Sequence, residues 1–229
     1  MMIIYTLKCP ETMDEDRFQS LLQLTSPEKQ EKILRYRKPE NAYQVLWADL
    51  LIRALMMECT GLANHKIVFG KNRFNKPFLQ TDPSIHFNLS HSGEWILCAV
   101  DTQPVGVDIE KIEPIQSGLI PLALSSHETE TYNALSSQER SGYFYSIWTA
   151  KESYLKTIGT GLDCLPNTLS VQFDQSNLRI SSTKDNLNKG YGRKVTISTG
   201  YKAVVCSLQN QFPCHTIQKK FSSVIQAFG

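Results

Sequence analysis

Two stretches of this chain echo each other in the same order. Trp47 opens a helical pattern that closes at Thr60-Gly61-Leu62, and Trp148 opens another that closes at Thr160-Gly161-Leu162. Downstream, SGEWILCAV at 92–100 is matched by TGYKAVVCSL at 199–208. The offsets are 101 or 100 residues for the helices and 107 for the strands. Read as a repeat, they constrain the 229 residues to an α+β fold built as a pseudo-dimer of two similar halves. Each half is a long helix packed on a small antiparallel sheet. The expected boundaries are 1–105 and 106–229, one compact unit with a joining segment near 101–120 and a natural ligand site in the cleft between the halves.

The joining segment carries the most suggestive local pattern. In QPVGVDIEKIEP (103–114), Val105, Val107 and Ile109 alternate with Gly106, Asp108 and Glu110. Successive side chains of a strand point to opposite faces, so one face is apolar and the other holds two carboxylates. A solvated edge strand explains this pattern. So does a site for a hard cation such as Mg²⁺, with Gly106 leaving room for a ligand. Further strands are expected at 2–7, 66–69, 85–89, 95–100, 168–173, 177–182, 194–198 and 202–208. Helices are expected at 12–24, from the Ser26 N-cap with Pro27 at the first helical position, at 42–60, and across 143–159. Residues 116–140 give no clear pattern, and Pro121 interrupts any helix through it.

Three other stretches can carry chemistry. In WTAKESYLK (148–156), Trp148, Glu152 and Lys156 fall four apart on one helix face, with Lys151 some 100° away. A Glu–Lys pair at this spacing is also an ordinary solvent-facing pair worth a few tenths of a kcal/mol. FNLSHSG (87–93) reads as a strand running into a turn, where Ser90, His91 and Ser92 can bind an anion or simply shape the turn. Lys29, Lys32, Arg35 and Lys38 recur about once per helical turn, and Lys76-Pro77 sits in a loop just before the sheet.

Bulk properties narrow the classes. A net charge of +2 gives no argument for nucleic acid, and no run approaches the ~20 apolar residues that span a bilayer. The opening MMIIY is too short for a signal-peptide core, so a cytoplasmic protein is expected. The six cysteines are scattered without a C-x-x-C pair, which suits buried small hydrophobes better than metal ligands. No G-x-S-x-G elbow is present, which disfavours a serine hydrolase.

Taken together, SPEKQEK (26–32), NKPF (75–78), FNLSHSGEW (87–95), QPVGVDIEKI (103–112) and WTAKESYLKTIGTGL (148–162) resemble the 4′-phosphopantetheinyl transferases, in their long, monomeric, surfactin-synthetase-activating class. That family moves the phosphopantetheine arm of coenzyme A onto a serine of an apo peptidyl or acyl carrier protein and releases 3′,5′-ADP. The resemblance implies a pseudo-dimeric α+β fold and Mg²⁺, or Mn²⁺ in its place, on Asp108, Glu110 and Glu152. It implies Glu152, Lys156 and His91 as catalytic residues. Coenzyme A would meet Lys29, Lys32, Lys76, Ser90, His91, Asp108, Lys151 and Lys156. The expected partners are a carrier protein and coenzyme A, without nucleic acid or membrane, for a monomer.

Three positions depart from that family's pattern. Gln44-Val45 stands where a basic residue and a hydroxyl help grip the 3′-phosphate. Asn75 replaces a frequent glycine, which Asn can do because it accepts left-handed turns. PLALSSHE (121–128) lacks a usual aromatic pair. Two other functions fit the same residues: a Mg²⁺-dependent phosphohydrolase, and a non-catalytic module that binds coenzyme A or a carrier protein.

Overall fold

The long helices form where the sequence pattern places them, in a computed structural model that describes residues 1–160, 164–182 and 189–229. The chain begins with β1 (Ile3–Lys8), α1 (Glu15–Leu22), α2 (Pro27–Leu34) and α3 (Pro39–Thr60). Asp14 and Ser26 cap α1 and α2 through their side chains, and Pro27 opens α2. α3 stops where Gly61 turns left-handed at φ 69°, which costs a glycine little. Then come β2 (Phe69–Lys71), β3 (Pro77–Leu79), β4 (His86–Ser92), β5 (Trp95–Asp101) and β6 (Val105–Lys111). The second part holds α4 (Ile120–Ala123), α5 (Ser126–Ala134) and α6 (Ser137–Ile158). It continues with β7 (Leu169–Asp174), β8 (Asn177–Ser182), β9 (Gly190–Lys194), β10 (Tyr201–Ser207), β11 (Ile217–Lys219) and α7 (Phe221–Gln226).

The architecture is mixed α+β. One sheet has the order β11-β1-β5-β4, the other β6-β10-β9-β8-β7, and β2 pairs with β3 in a two-stranded ribbon. Period-two alternation lets each sheet bury both faces. Leu7, Phe87, Ile96 and Cys98 of the first sheet pack against Leu46, Trp47, Leu50 and Leu51 of α3. On its other face Met2, Ile4, Leu97 and Ala99 meet Val105, Val107, Ile109, Ala203 and Val205 of the second sheet. The far face of the second sheet, with Leu178, Ile180, Val204 and Cys206, takes Ala150, Tyr154 and Leu155 of α6. The layers thus run α3, first sheet, second sheet, α6.

Several boundaries differ from expectation. The strand expected at 66–69 is β2, at 69–71, preceded by a 3₁₀ turn at Asn64–Lys66. The strand expected at 194–198 lies at 190–194 instead. α6 ends at Ile158 with Gly159 left-handed at φ 69°, as the 143–159 pattern expects and ahead of the Thr160-Gly161-Leu162 close; Gly161 and Leu162 lie outside the described residues. β11 and α7 carry residues 217–226 back to the first sheet and α3, where β11 runs parallel to β1 and Phe221 packs on Trp47 at 4.5 Å between ring centroids.

Candidate active site

Strands β4 and β6 belong to different sheets yet lie side by side, and side chains close the seam between them. Every second residue of β4 reaches across. Asn88 Oδ1 accepts from the Val107 amide at 2.8 Å, Ser90 Oγ donates to Asp108 Oδ1 at 2.9 Å, and Ser92 Oγ donates to Glu110 Oε2 at 3.1 Å. The alternation of β6 therefore does two jobs. Val105, Val107 and Ile109 face the intersheet core, while Asp108 and Glu110 face α6.

Gly106 shares that face, but its role is not the expected one. A Cβ there would sit 2.1 Å from the Ser153 carbonyl and 2.5 Å from the Thr157 amide. The missing side chain makes room for the α6 backbone rather than for a ligand. That close approach brings Glu152 and Lys156 of α6 to the carboxylates of β6.

The charges there are poorly solvated. Asp108 is 3% exposed; Lys156 Nζ donates to its Oδ1 at 2.6 Å and to Ser90 Oγ at 3.1 Å. Its other oxygen, Oδ2, is buried and has no hydrogen-bond partner. Burial raises the Asp108 pKa, opposed by Lys156 and Ser90. Burial and then the neighbouring Asp108 push Glu110 up to about 7, with Ser92 and Trp148 pulling it down through hydrogen bonds. Glu152 is raised by burial and by Asp108, with Lys156 opposing. Asp108 thus raises both other acids, and burial raises all three. Among the described residues, however, no three carboxylate, His or Cys side chains stand close enough together to hold an ion, so Glu152 shares the cleft without closing a ligand cluster.

Two neighbouring cavities share Pro77 and Leu89 in their walls, and the smaller reaches the cleft. One of about 330 Å³ is lined by Lys76, Asn88, Glu152 and Lys156 among others. The second, about 720 Å³, has Lys29, Lys32, Asp49, Arg53 and His91 in its walls. Lys29 Nζ rests on the buried Asp49 at 3.2 Å, and Asp49 also takes Arg53 at 2.8 Å. The His91 pKa is lowered, first by partial removal from water and then by Lys156. Lys76 Nζ donates to the Val105 and Thr157 carbonyls, each at 3.2 Å, and burial brings its pKa down to about 8. Asn75 takes φ 64°, the left-handed conformation its replacement of glycine required.

One expected site residue lies elsewhere. Lys151 is fully buried on another side of α6, where Nζ donates to Glu128 at 2.5 Å and to the Ala123 carbonyl at 2.8 Å. It is therefore corrected from a coenzyme A contact to a structural tie, since a buried, paired ammonium has no phosphate within reach. Gln44 likewise turns from the cavity and donates to the Gly93 carbonyl, while Val45 stays in the cavity wall. The sequence pattern assigned nothing to Asn88, Asp49 or Glu128, and to Ser92 only anion binding or a turn. The signal for Asn88 and Ser92 was present: polar residues at 88, 90 and 92 alternate as those of β6 do.

A water-poor carboxylate cleft beside a lysine-walled cavity suits a class of protein, enzymes acting on phosphate-rich substrates. The chain belongs to the 4′-phosphopantetheinyl transferase superfamily, whose family model matches residues 104–214; a second model, the N-terminal part of a 4′-phosphopantetheinyl transferase, matches 12–103. It is 32% identical to the 4′-phosphopantetheinyl transferase Sfp of Bacillus subtilis, over 93% of this chain and 95% of that one. It is 35% identical to the 4′-phosphopantetheinyl transferase gsp of Aneurinibacillus migulanus, over 88% and 84%. With HetI of Nostoc the identity is 28% over 69% and 70%. The protein is thus a transferase that moves 4′-phosphopantetheine from coenzyme A to carrier proteins.

Proposed function

We propose that the cleft between β6 and α6 runs this transfer with a divalent cation on Asp108, Glu110 and Glu152. The observation that carries the reading is the unpartnered, buried Oδ2 of Asp108, beside two further acids of raised pKa. Hard oxygen donors of this kind suit Mg²⁺, with Mn²⁺ as its substitute. When bound, such an ion neutralises phosphate oxygens and eases the breaking of the pyrophosphate.

The chain's own residues do the rest. Lys29, Lys32 and His91 hold phosphates of coenzyme A in the larger cavity, and Lys76 flanks the smaller. Ser90 steadies Asp108 and Lys156 at the junction. Glu152 takes the proton from the carrier serine as its oxygen attacks the phosphorus bearing the pantetheine arm. The bond from that phosphorus to the bridging oxygen breaks, and 3′,5′-ADP leaves with the electron pair. Lys156 supplies the proton or positive charge that the leaving oxygen needs. We further read the chain as two related α+β halves, 1–105 and 106–229, with β11 and α7 returned to the first half, acting as a cytoplasmic monomer. In support, each half places one long helix on the outer face of its sheet. Among the described residues no helix is long and apolar enough to cross a membrane.

The test is to incubate the protein with coenzyme A, Mg²⁺ and an apo peptidyl or acyl carrier protein, then weigh the carrier. A gain of one phosphopantetheine is expected in the wild type and none in Glu110→Ala or Glu152→Ala. Near-normal transfer by either variant defeats the cation assignment. Phosphate release without a carrier would mark a phosphohydrolase, and coenzyme A binding without transfer a non-catalytic module.

A further inference from the structure

We infer that Ser92 is a positioning residue for Glu110, holding its carboxylate in the orientation needed to bind the cation. The inference rests on the reading that Asp108, Glu110 and Glu152 hold that ion. It comes from a pattern repeated along the seam. Ser92 Oγ accepts from the Lys111 amide at 3.0 Å, which leaves its single proton to go to Glu110 Oε2 at 3.1 Å. Two residues earlier, Ser90 Oγ accepts from Lys156 Nζ at 3.1 Å and gives its proton to Asp108 Oδ1 at 2.9 Å. Each hydroxyl accepts from one N–H and gives its single proton to its carboxylate. Each carboxylate is thus held through one named oxygen, and Asp108 keeps Oδ2 without a partner.

A purely structural role would look different, and the same strand shows how. Asn88 closes the seam by accepting from the Val107 backbone amide. Had Ser92 served only to end β4, its bond to the Lys111 amide would have sufficed. Its proton instead goes to the Glu110 side chain, a second bond that ending the strand does not require. Hydrogen bonds behind metal-binding groups fix ligand orientation, and their loss costs 10–100-fold in metal affinity in general. Ser92 is only half-buried and stands at the last position of its strand, so substitution there leaves the core intact.

The experiment measures Mn²⁺ binding by electron paramagnetic resonance of the free ion, with coenzyme A present and no carrier protein. Wild type, Ser92→Ala, Ser92→Thr and Ser92→Cys are compared. Ser92→Ala is expected to bind Mn²⁺ at least about 10-fold more weakly. Ser92→Thr, which keeps the hydroxyl, should stay within about twofold, and the weak thiol donor should fall between. Coenzyme A affinity and melting temperature should hold steady across the set. Equal Mn²⁺ affinity in Ser92→Ala and wild type overturns the positioning role while leaving the cation site standing. Wild type that binds no Mn²⁺, or binds it equally after Glu152→Ala, overturns the cation site itself.

Discussion

Lys151 and Glu128 show how much can depend on a pair that touches no substrate. The Glu128 carboxylate accepts from the Ser125 amide, the Val171 amide and Lys151 Nζ, tying α5, β7 and α6 together. Removing one partner strands a charge out of water. Lys151→Met is expected to cost about 3–5 kcal/mol in denaturant unfolding, whereas Lys151→Met with Glu128→Leu should recover much of that loss. A single variant as stable as wild type would refute the buried pairing. Lys76 makes a second prediction, about pH. Its ammonium is held by two carbonyls and its pKa is down at about 8, so its charge disappears as pH rises past 8. Phosphate attraction goes with it, and the KM for coenzyme A should climb between pH 7 and 9. Lys76→Arg, which stays charged, should flatten that rise.

At the scale of elements, the proposed site depends on how closely α6 approaches β6. Gly106→Ala places a methyl 2.1 Å from the Ser153 carbonyl, and backbone there cannot yield cheaply. The expected result is a loss of about 1–3 kcal/mol or more in urea unfolding, together with a drop in transfer rate well beyond the loss of folded protein. Full activity in that variant would mean the two elements tolerate separation. The elements themselves were legible where local chemistry defines them. α2 shows its Ser26-Pro27 start, α3 shows its Gly61 stop, and β6 shows its alternation. TIGTGL offered two glycines as a stop for α6, and local pattern could not choose between them. Asp108 and Glu110 could be placed on one face, because period two is a property of a single strand. Lys151 could not be placed, because 100° of helix rotation says nothing about which element covers that side. β11 was not read at all: three residues have no periodicity of their own, and only the distant β1 makes them a strand.

The whole molecule is joined by three devices: the apolar contact between sheets, the β4–β6 seam, and the return of residues 217–226. The last can be tested alone. Deleting residues 217–229 removes the edge strand on β1, the Phe221 ring on Trp47 and the Lys219–Glu58 ion pair at 2.8 Å. The truncated protein should melt several degrees lower, with Trp47 emission shifted to the red as water reaches its ring. An unchanged melt would make the return ornamental. Because a ribosome delivers the chain from its amino end, the first sheet must wait, one edge open, while more than a hundred further residues emerge. Synthesis order and assembly order therefore differ here: the earliest part of the molecule to be made is among the last to be finished, and its bare edge in the interim is where a nascent chain of this kind most needs guarding.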